Sequence, residues 1–313
     1  MGRGETAGGR AGTTGERTGR VGRRTLLRAA AGAGALAVAA AGTGAAMAED
    51  VLPGGARLRR ALGLTGPDGV LPAATAGPVR TEDRRSTARG TTVRVITMTP
   101  PGDHRPADLP VCLALHGRGA TARTMVETGL PEFLSAAVAS GVPPFAVVAV
   151  DGGNASYWRR TATGDDPQRM LLDELPGWLA EQGLRPPGGA MGISMGGFGA
   201  LTYARNRGQG FGPVAALSPA VFRSWPDAKA VEVFQDEADW RAYEPLLHLD
   251  QPLGSPLGVW CGTEDPFCDA ARRLAPHAAR AYFPPGEHSG GFWRRVLPDV
   301  MPFLGRALAG RPA

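Results

Sequence analysis

The chain has 313 residues, 43% of them hydrophobic, and a formal net charge of +5. Residues 1–48 hold seven arginines and two glutamates, so the excess sits entirely there; the remaining 265 residues are near neutral and Lys229 is their only lysine. That balance leaves no basic face for nucleic acid, and a neutral stretch of this length can bury one large core as a single domain.

At the N-terminus, Arg23-Arg24 precedes Leu26-Leu27-Arg28, an uncharged Ala/Gly-rich stretch follows, and Ala46-Met47-Ala48 closes it as a small-x-small site. Residues 1–48 resemble a twin-arginine signal peptide, which implies export of an already folded protein. A disordered basic tail with a short anchor helix is the alternative. The stretch is too short and too mildly apolar for a membrane span, and no cysteine near residue 48 offers a lipid anchor, so no stable membrane anchor is expected after cleavage. Residues 49–77, rich in Gly, Pro and Ala, read as an irregular leader to a domain over 78–310.

Residues 91–98 alternate like a strand and pair with 79–87 in a hairpin. Unbroken apolar runs at 111–116 and 145–151 predict strands covered on both faces, with a helix over 131–140 between them. Met170, Leu171, Leu175, Trp178 and Leu179 recur at helical spacing within 167–182. Then come a strand at 189–193, a helix at 198–207, strands at 214–217 and 257–261, a helix at 268–279, a last strand at 281–283 and a closing helix at 290–309. Pro298 and Pro302 should kink or split that helix. Between the strands at 214–217 and 257–261, residues 221–250 carry Trp225, Phe234, Trp240 and Tyr243 and read as a cap or a crossover helix. This alternation predicts an α/β fold with a mostly parallel sheet and helices on both faces.

Of three cysteines, Cys112 lies inside an apolar strand, without a partner. Cys261 and Cys268 are seven apart across a turn, close enough for a disulfide; two free thiols are the alternative. No neighbouring His or Cys completes a zinc set, and no metal is expected.

The chemistry concentrates at strand ends. Gly192-Ile193-Ser194-Met195-Gly196 is a G-x-S-x-G between a strand and a helix, where a nucleophile elbow needs small residues beside a strained serine. That turn would aim the Met195 N–H at an oxyanion. His116-Gly117-Arg118-Gly119 ends the strand at 111, where α/β hydrolases place their other oxyanion donor; the Arg118 N–H is the choice, Gly119 the second, and His116 itself reads as structural. Asp265, in Gly262-Thr263-Glu264-Asp265-Pro266, fits the acid position after a later strand, with Glu264 as alternative. His288, in the loop after the last strand, fits the base. A serine hydroxyl is a poor nucleophile until a histidine takes its proton, and a carboxylate holds the imidazole and stabilises its cation. No cofactor is required.

Leu115-His116-Gly117, Asp151-Gly152-Gly153-Asn154 with Tyr157-Trp158, Gly192-Ile193-Ser194-Met195-Gly196-Gly197, Leu217-Ser218-Pro219-Ala220 and His288-Ser289 before Phe292-Trp293 together resemble the esterase-D-like branch of the α/β hydrolases. The branch includes S-formylglutathione hydrolases, feruloyl-type esterases and mycolyltransferases, and the resemblance spans residues 78–305. It implies an α/β-hydrolase fold, a small-molecule or lipid ester as substrate, and an acyl-enzyme on Ser194. It also makes Tyr157 and Trp158 candidates for substrate contact, aromatic packing being the alternative. An acyltransferase or a peptidase would use the same residues; a wall-associated binding protein on an unreactive hydrolase scaffold is the reading from another class.

Overall fold

The computed structural model describes residues 60–310. The expected signal peptide and residues 49–59 of the leader lie outside them. Eight strands form one sheet: β1 (Val79–Ser86), β2 (Thr91–Met98), β3 (Val111–Leu115), β4 (Ala146–Val150), β5 (Gly189–Ile193), β6 (Val214–Leu217), β7 (Leu257–Trp260) and β8 (Arg280–Tyr282). Their order is β1-β2-β4-β3-β5-β6-β7-β8. The hairpin read from the sequence is there, running from Val79 opposite Met98 to Ser86 opposite Thr91. β2 joins β4 antiparallel, and every later pairing is parallel.

β3, β4 and β5 are buried at every position, which is why they are apolar runs rather than alternating ones. Successive side chains leave a strand on opposite faces. Val111, Leu113 and Leu115 therefore enter one core while Cys112 and Ala114 enter the other. On the first face lie a helix over 167–181 (α3) and α4 (Met195–Arg207), which contribute Met170, Leu175, Leu179, Phe198 and Leu201. α1 (Ala122–Glu127), α2 (Leu130–Ala139) and the closing helix over Gly290–Ala309 cover the second face with Met125, Phe133, Leu134, Val296 and Leu304.

Several expectations are corrected. The closing helix is not split by Pro298 and Pro302: it runs unbroken for 20 residues. Two interior prolines cost about 3 kcal/mol each, whereas Val296, Leu297, Val300, Met301, Leu304 and Leu308 are buried at roughly 1.5–3 kcal/mol each. The burial wins. Within α3, Met170–Glu174 is a π-helical turn between α-helical Pro167–Arg169 and Leu175–Glu181. Pro176, two residues beyond Glu174, has no N–H to give that stretch. Residues 221–250 form no single crossover helix but α5 (Trp225–Lys229), α6 (Glu237–Tyr243) and a 3-10 turn, Pro245–Leu247. The helix expected over 268–279 is one α-turn, α7 (Cys268–Ala271), continued as 3-10 over Arg272–His277, so the closing helix is α8. No helix among the described residues is long and apolar enough to cross a membrane.

Because β3 to β8 are parallel, the loops after them emerge at one edge of the sheet. From β3 the chain steps outward to β4, whereas β5 lies on the other flank of β3 and leads away in the opposite direction. Open α/β sheets bind ligands at such a reversal. This is the α/β-hydrolase fold.

Candidate active site

Ser194 occupies the turn between β5 and α4 with φ 57° and ψ −120°. For a residue with a Cβ this conformation costs about 1–3 kcal/mol. The surroundings fix it: its N–H donates to Leu217 O (2.9 Å) and its carbonyl accepts from Ala220 N (3.0 Å). A Cβ on Gly192 would overlap the Gly196 carbonyl, and one on Gly196 would overlap the Leu115 carbonyl, so only glycine lets the turn pack this tightly.

Three distant loops meet at this serine. His288 Nε2 lies 2.9 Å from Ser194 Oγ, and His288 Nδ1 lies 2.8 Å from Asp265 Oδ2. The carboxylate cannot donate, so Nδ1 carries the proton and Nε2 is left to accept from the serine. Asp265 has no exposed side-chain surface, and its Oδ1 accepts from Phe267 N (2.9 Å). Between the two acids the structure is selective. Glu264 faces away from His288: its Oε2 accepts from Gly286 N (2.6 Å) and its N–H donates to Gly286 O (2.9 Å). The His288 ring stands edge-on to Phe267 (5.3 Å) and Trp293 (5.2 Å), and Trp293 Nε1 donates to Ser218 Oγ (3.1 Å). Phe267 and Trp293 carry no sequence signal as partners of His288; their contact is made only by the tertiary fold.

Gly117 lies beside Ser194, with the position of a Cβ there 3.9 Å from Ser194 Oγ. The next amide, Arg118, and the Met195 amide at the start of α4 have no protein acceptor among the backbone hydrogen bonds of the described residues. Gly119, the second choice, donates its N–H to Asn154 O (2.9 Å) and is thereby engaged. His116 is buried and structural: Nε2 accepts from Gly152 N (2.9 Å), and Nδ1, 2.8 Å from Gly117 O, is the donor. Burial holds its pKa below the ordinary value, in keeping with this neutral form.

Tyr157 and Trp158 are corrected from substrate contacts to packing residues, 2% and 0% exposed. Trp158 donates Nε1–H to His116 O (3.1 Å) and stands edge-on to the His116 ring. Tyr157 packs among Phe198, Phe222 and Phe234. Arg159, also buried, donates to Val233 O, pairs with Asp239 (3.1 Å) and lies over Phe234. These contacts tie the loop after β4 to segment 221–250. A polar loop sequence carries no signal for them.

The disulfide allowed by the sequence is not formed: Cys261 and Cys268 are free, buried thiols in hydrogen-bonding contact, and Cys112 is free as well. The turn between them is closed instead by Asp265 N–H to Gly262 O (3.1 Å) and Cys268 N–H to Asp265 O (2.9 Å). Among the described residues no group of three or more His, Cys, Asp or Glu side chains is arranged to hold a metal ion.

No curated protein matches the sequence. Solved structures do match by fold. A ferulic acid esterase aligns at 18% identity over 74% of this chain and 98% of its own, with TM-score 0.61. An S-formylglutathione hydrolase from Agrobacterium tumefaciens aligns at 20% identity over 76% and 98%, with TM-score 0.62. MPT51 (FbpC1) of Mycobacterium tuberculosis aligns at 19% identity over 73% and 100%, with TM-score 0.55. The Esterase family, described as "Putative esterase", matches residues 86–294, a stretch that holds Ser194, Asp265 and His288. With more than half of its length matched, the chain belongs to the Esterase family, on an α/β-hydrolase fold.

Proposed function

We propose that the chain is an exported serine esterase that cleaves small-molecule or lipid carboxylic esters through an acyl-enzyme on Ser194. The observation that carries this is the unbroken line of two hydrogen bonds, 2.9 Å from Ser194 Oγ to His288 Nε2 and 2.8 Å from His288 Nδ1 to Asp265. His288 takes the hydroxyl proton as Oγ attacks the ester carbonyl, and Asp265 stabilises the imidazolium that results. The Arg118 and Met195 amides donate to the oxyanion of the tetrahedral intermediate. His288 then returns the proton to the leaving alcohol, and water, activated by the same ring, releases the acid. Export rests on residues 1–48, with their paired arginines and small-x-small end.

A transferase differs only in the group that accepts the acyl chain, so competition by an added sugar or lipid alcohol separates the two. The test is a series of p-nitrophenyl esters of graded acyl length. Turnover that disappears in Ser194→Ala supports the esterase; a folded wild-type protein that turns over none of them overturns it in favour of a binding role.

A further inference from the structure

Segment 60–77 lies outside the stretch that the family matches, yet it is docked on the loop carrying His288. Gly69 N–H donates to Gly291 O (2.8 Å), and the Asp68 carboxylate fills the space a Cβ on Gly291 would need. Arg295, in the second turn of α8, reaches back across both. Its Nη1 donates to Thr65 O (3.2 Å) and Pro67 O (3.0 Å), and its Nη2 donates to Pro285 O. The guanidinium also lies over the Phe292 ring, 5.3 Å from its centroid. One planar cation thus joins two carbonyls of the N-terminal segment to one in the loop, three residues before His288. A lysine ammonium has neither the reach nor the fixed fork to replace it.

The opposite side of this loop is held by the turn that carries the acid. Thr263 N–H donates to Pro284 O (2.9 Å), and Glu264 takes Gly286 from both directions. Residues 284–286 are therefore gripped from two sides, by the acid turn within and by the N-terminal segment without. A histidine on a loop keeps its alignment only as well as that loop is held, and a displacement of about 1 Å at a reacting group costs about 100-fold in rate.

We propose that residues 65–69 are a strap that positions the His288 loop, with Arg295 as the positioning residue that fastens it. The proposal deepens the esterase reading and rests on it. Two substitutions in the full chain loosen the strap by different means: Gly69→Ala, whose Cβ would overlap the Arg295 backbone, and Arg295→Ala, which removes the fork. With p-nitrophenyl acetate, both should lower kcat about 10- to 100-fold, leave KM within about twofold, and shift the acid limb of the kcat/KM pH profile; Arg295→Lys should restore little. Unchanged kcat in correctly folded variants overturns the proposal, even where the melting temperature falls. A second readout stands apart from turnover: hydrogen–deuterium exchange at 284–291 should accelerate in Gly69→Ala, and unchanged protection there overturns the strap. A wild-type chain inactive on every ester would sink the esterase reading, and the exchange measurement would still decide the strap.

Discussion

Asp265 and Glu264 are adjacent, chemically alike and both on the turn after β7, yet the fold gives them different work. One carboxylate has no exposed surface and meets the imidazole; the other binds the Gly286 backbone. Asp265→Asn should lower kcat by about 10⁴, as expected when the imbalanced pair favours the wrong imidazole tautomer. Glu264→Gln keeps an acceptor for Gly286 N–H and should cost at least 100-fold less; steady-state kinetics on one p-nitrophenyl ester compares them directly. At this scale the sequence made Ser194 and His288 legible as partners, because each sits at a fixed offset from a strand end. Asp265 was the acid chosen from its place in the turn, with Glu264 left open as the alternative, since what separates them is how the turn closes on a loop about twenty residues further on. Nor was the packing of Tyr157 and Trp158, for a loop aromatic looks the same in sequence whether it faces a ligand or a core.

Among elements, the turn from β5 into α4 has the least freedom. Gly196 sits against the Leu115 carbonyl, so Gly196→Ala must push β3 and α4 apart. That displacement opens the core between β3, buried throughout, and the buried stretch 195–204 of α4, and a loss of about 3 kcal/mol or more is expected, of the size seen for overpacking and strain. A denaturant melt of the variant checks it; a midpoint equal to wild type would mean that the turn tolerates a Cβ. The central strands could be read from their apolar runs because both faces are covered. α1 could not, being six residues with two buried ones and a cap, Thr121, that only the folded turn reveals. The prolines of α8 misled because local propensity was weighed without the burial that outweighs it.

Across the whole molecule, segment 221–250 connects β6 to β7 and is pinned by one buried carboxylate. Glu244 Oε2 accepts from Phe222 N (3.1 Å) and Trp240 Nε1 (3.0 Å), and its Oε1 accepts from Leu246 N (3.2 Å). Burial pushes its pKa up to about 8 from an ordinary 4.5, against the pull of those donors and of Arg205. The folded chain thus holds a proton that the unfolded chain has released. The stability this contributes is fully present below the unfolded value and is lost as pH rises through about 8. Glu244→Gln cannot ionise, so its melting temperature relative to wild type should climb between pH 5 and pH 9; parallel curves would contradict the assignment. Such a linkage was invisible in the sequence, where Glu244 is one acid among several in a polar stretch. The alternation of strands and helices, by contrast, disclosed the sheet and the edge where Ser194, Asp265 and His288 meet, because topology follows from element order more than from any single contact.

The central claim is that Ser194 is activated by His288 at that edge, and covalent labelling by a fluorophosphonate tests it most directly. The account predicts one adduct, found by mass spectrometry on the peptide containing Ser194, absent in Ser194→Ala and formed far more slowly in His288→Ala. A folded wild-type protein that takes up no label, or takes it up equally fast without His288, would contradict it.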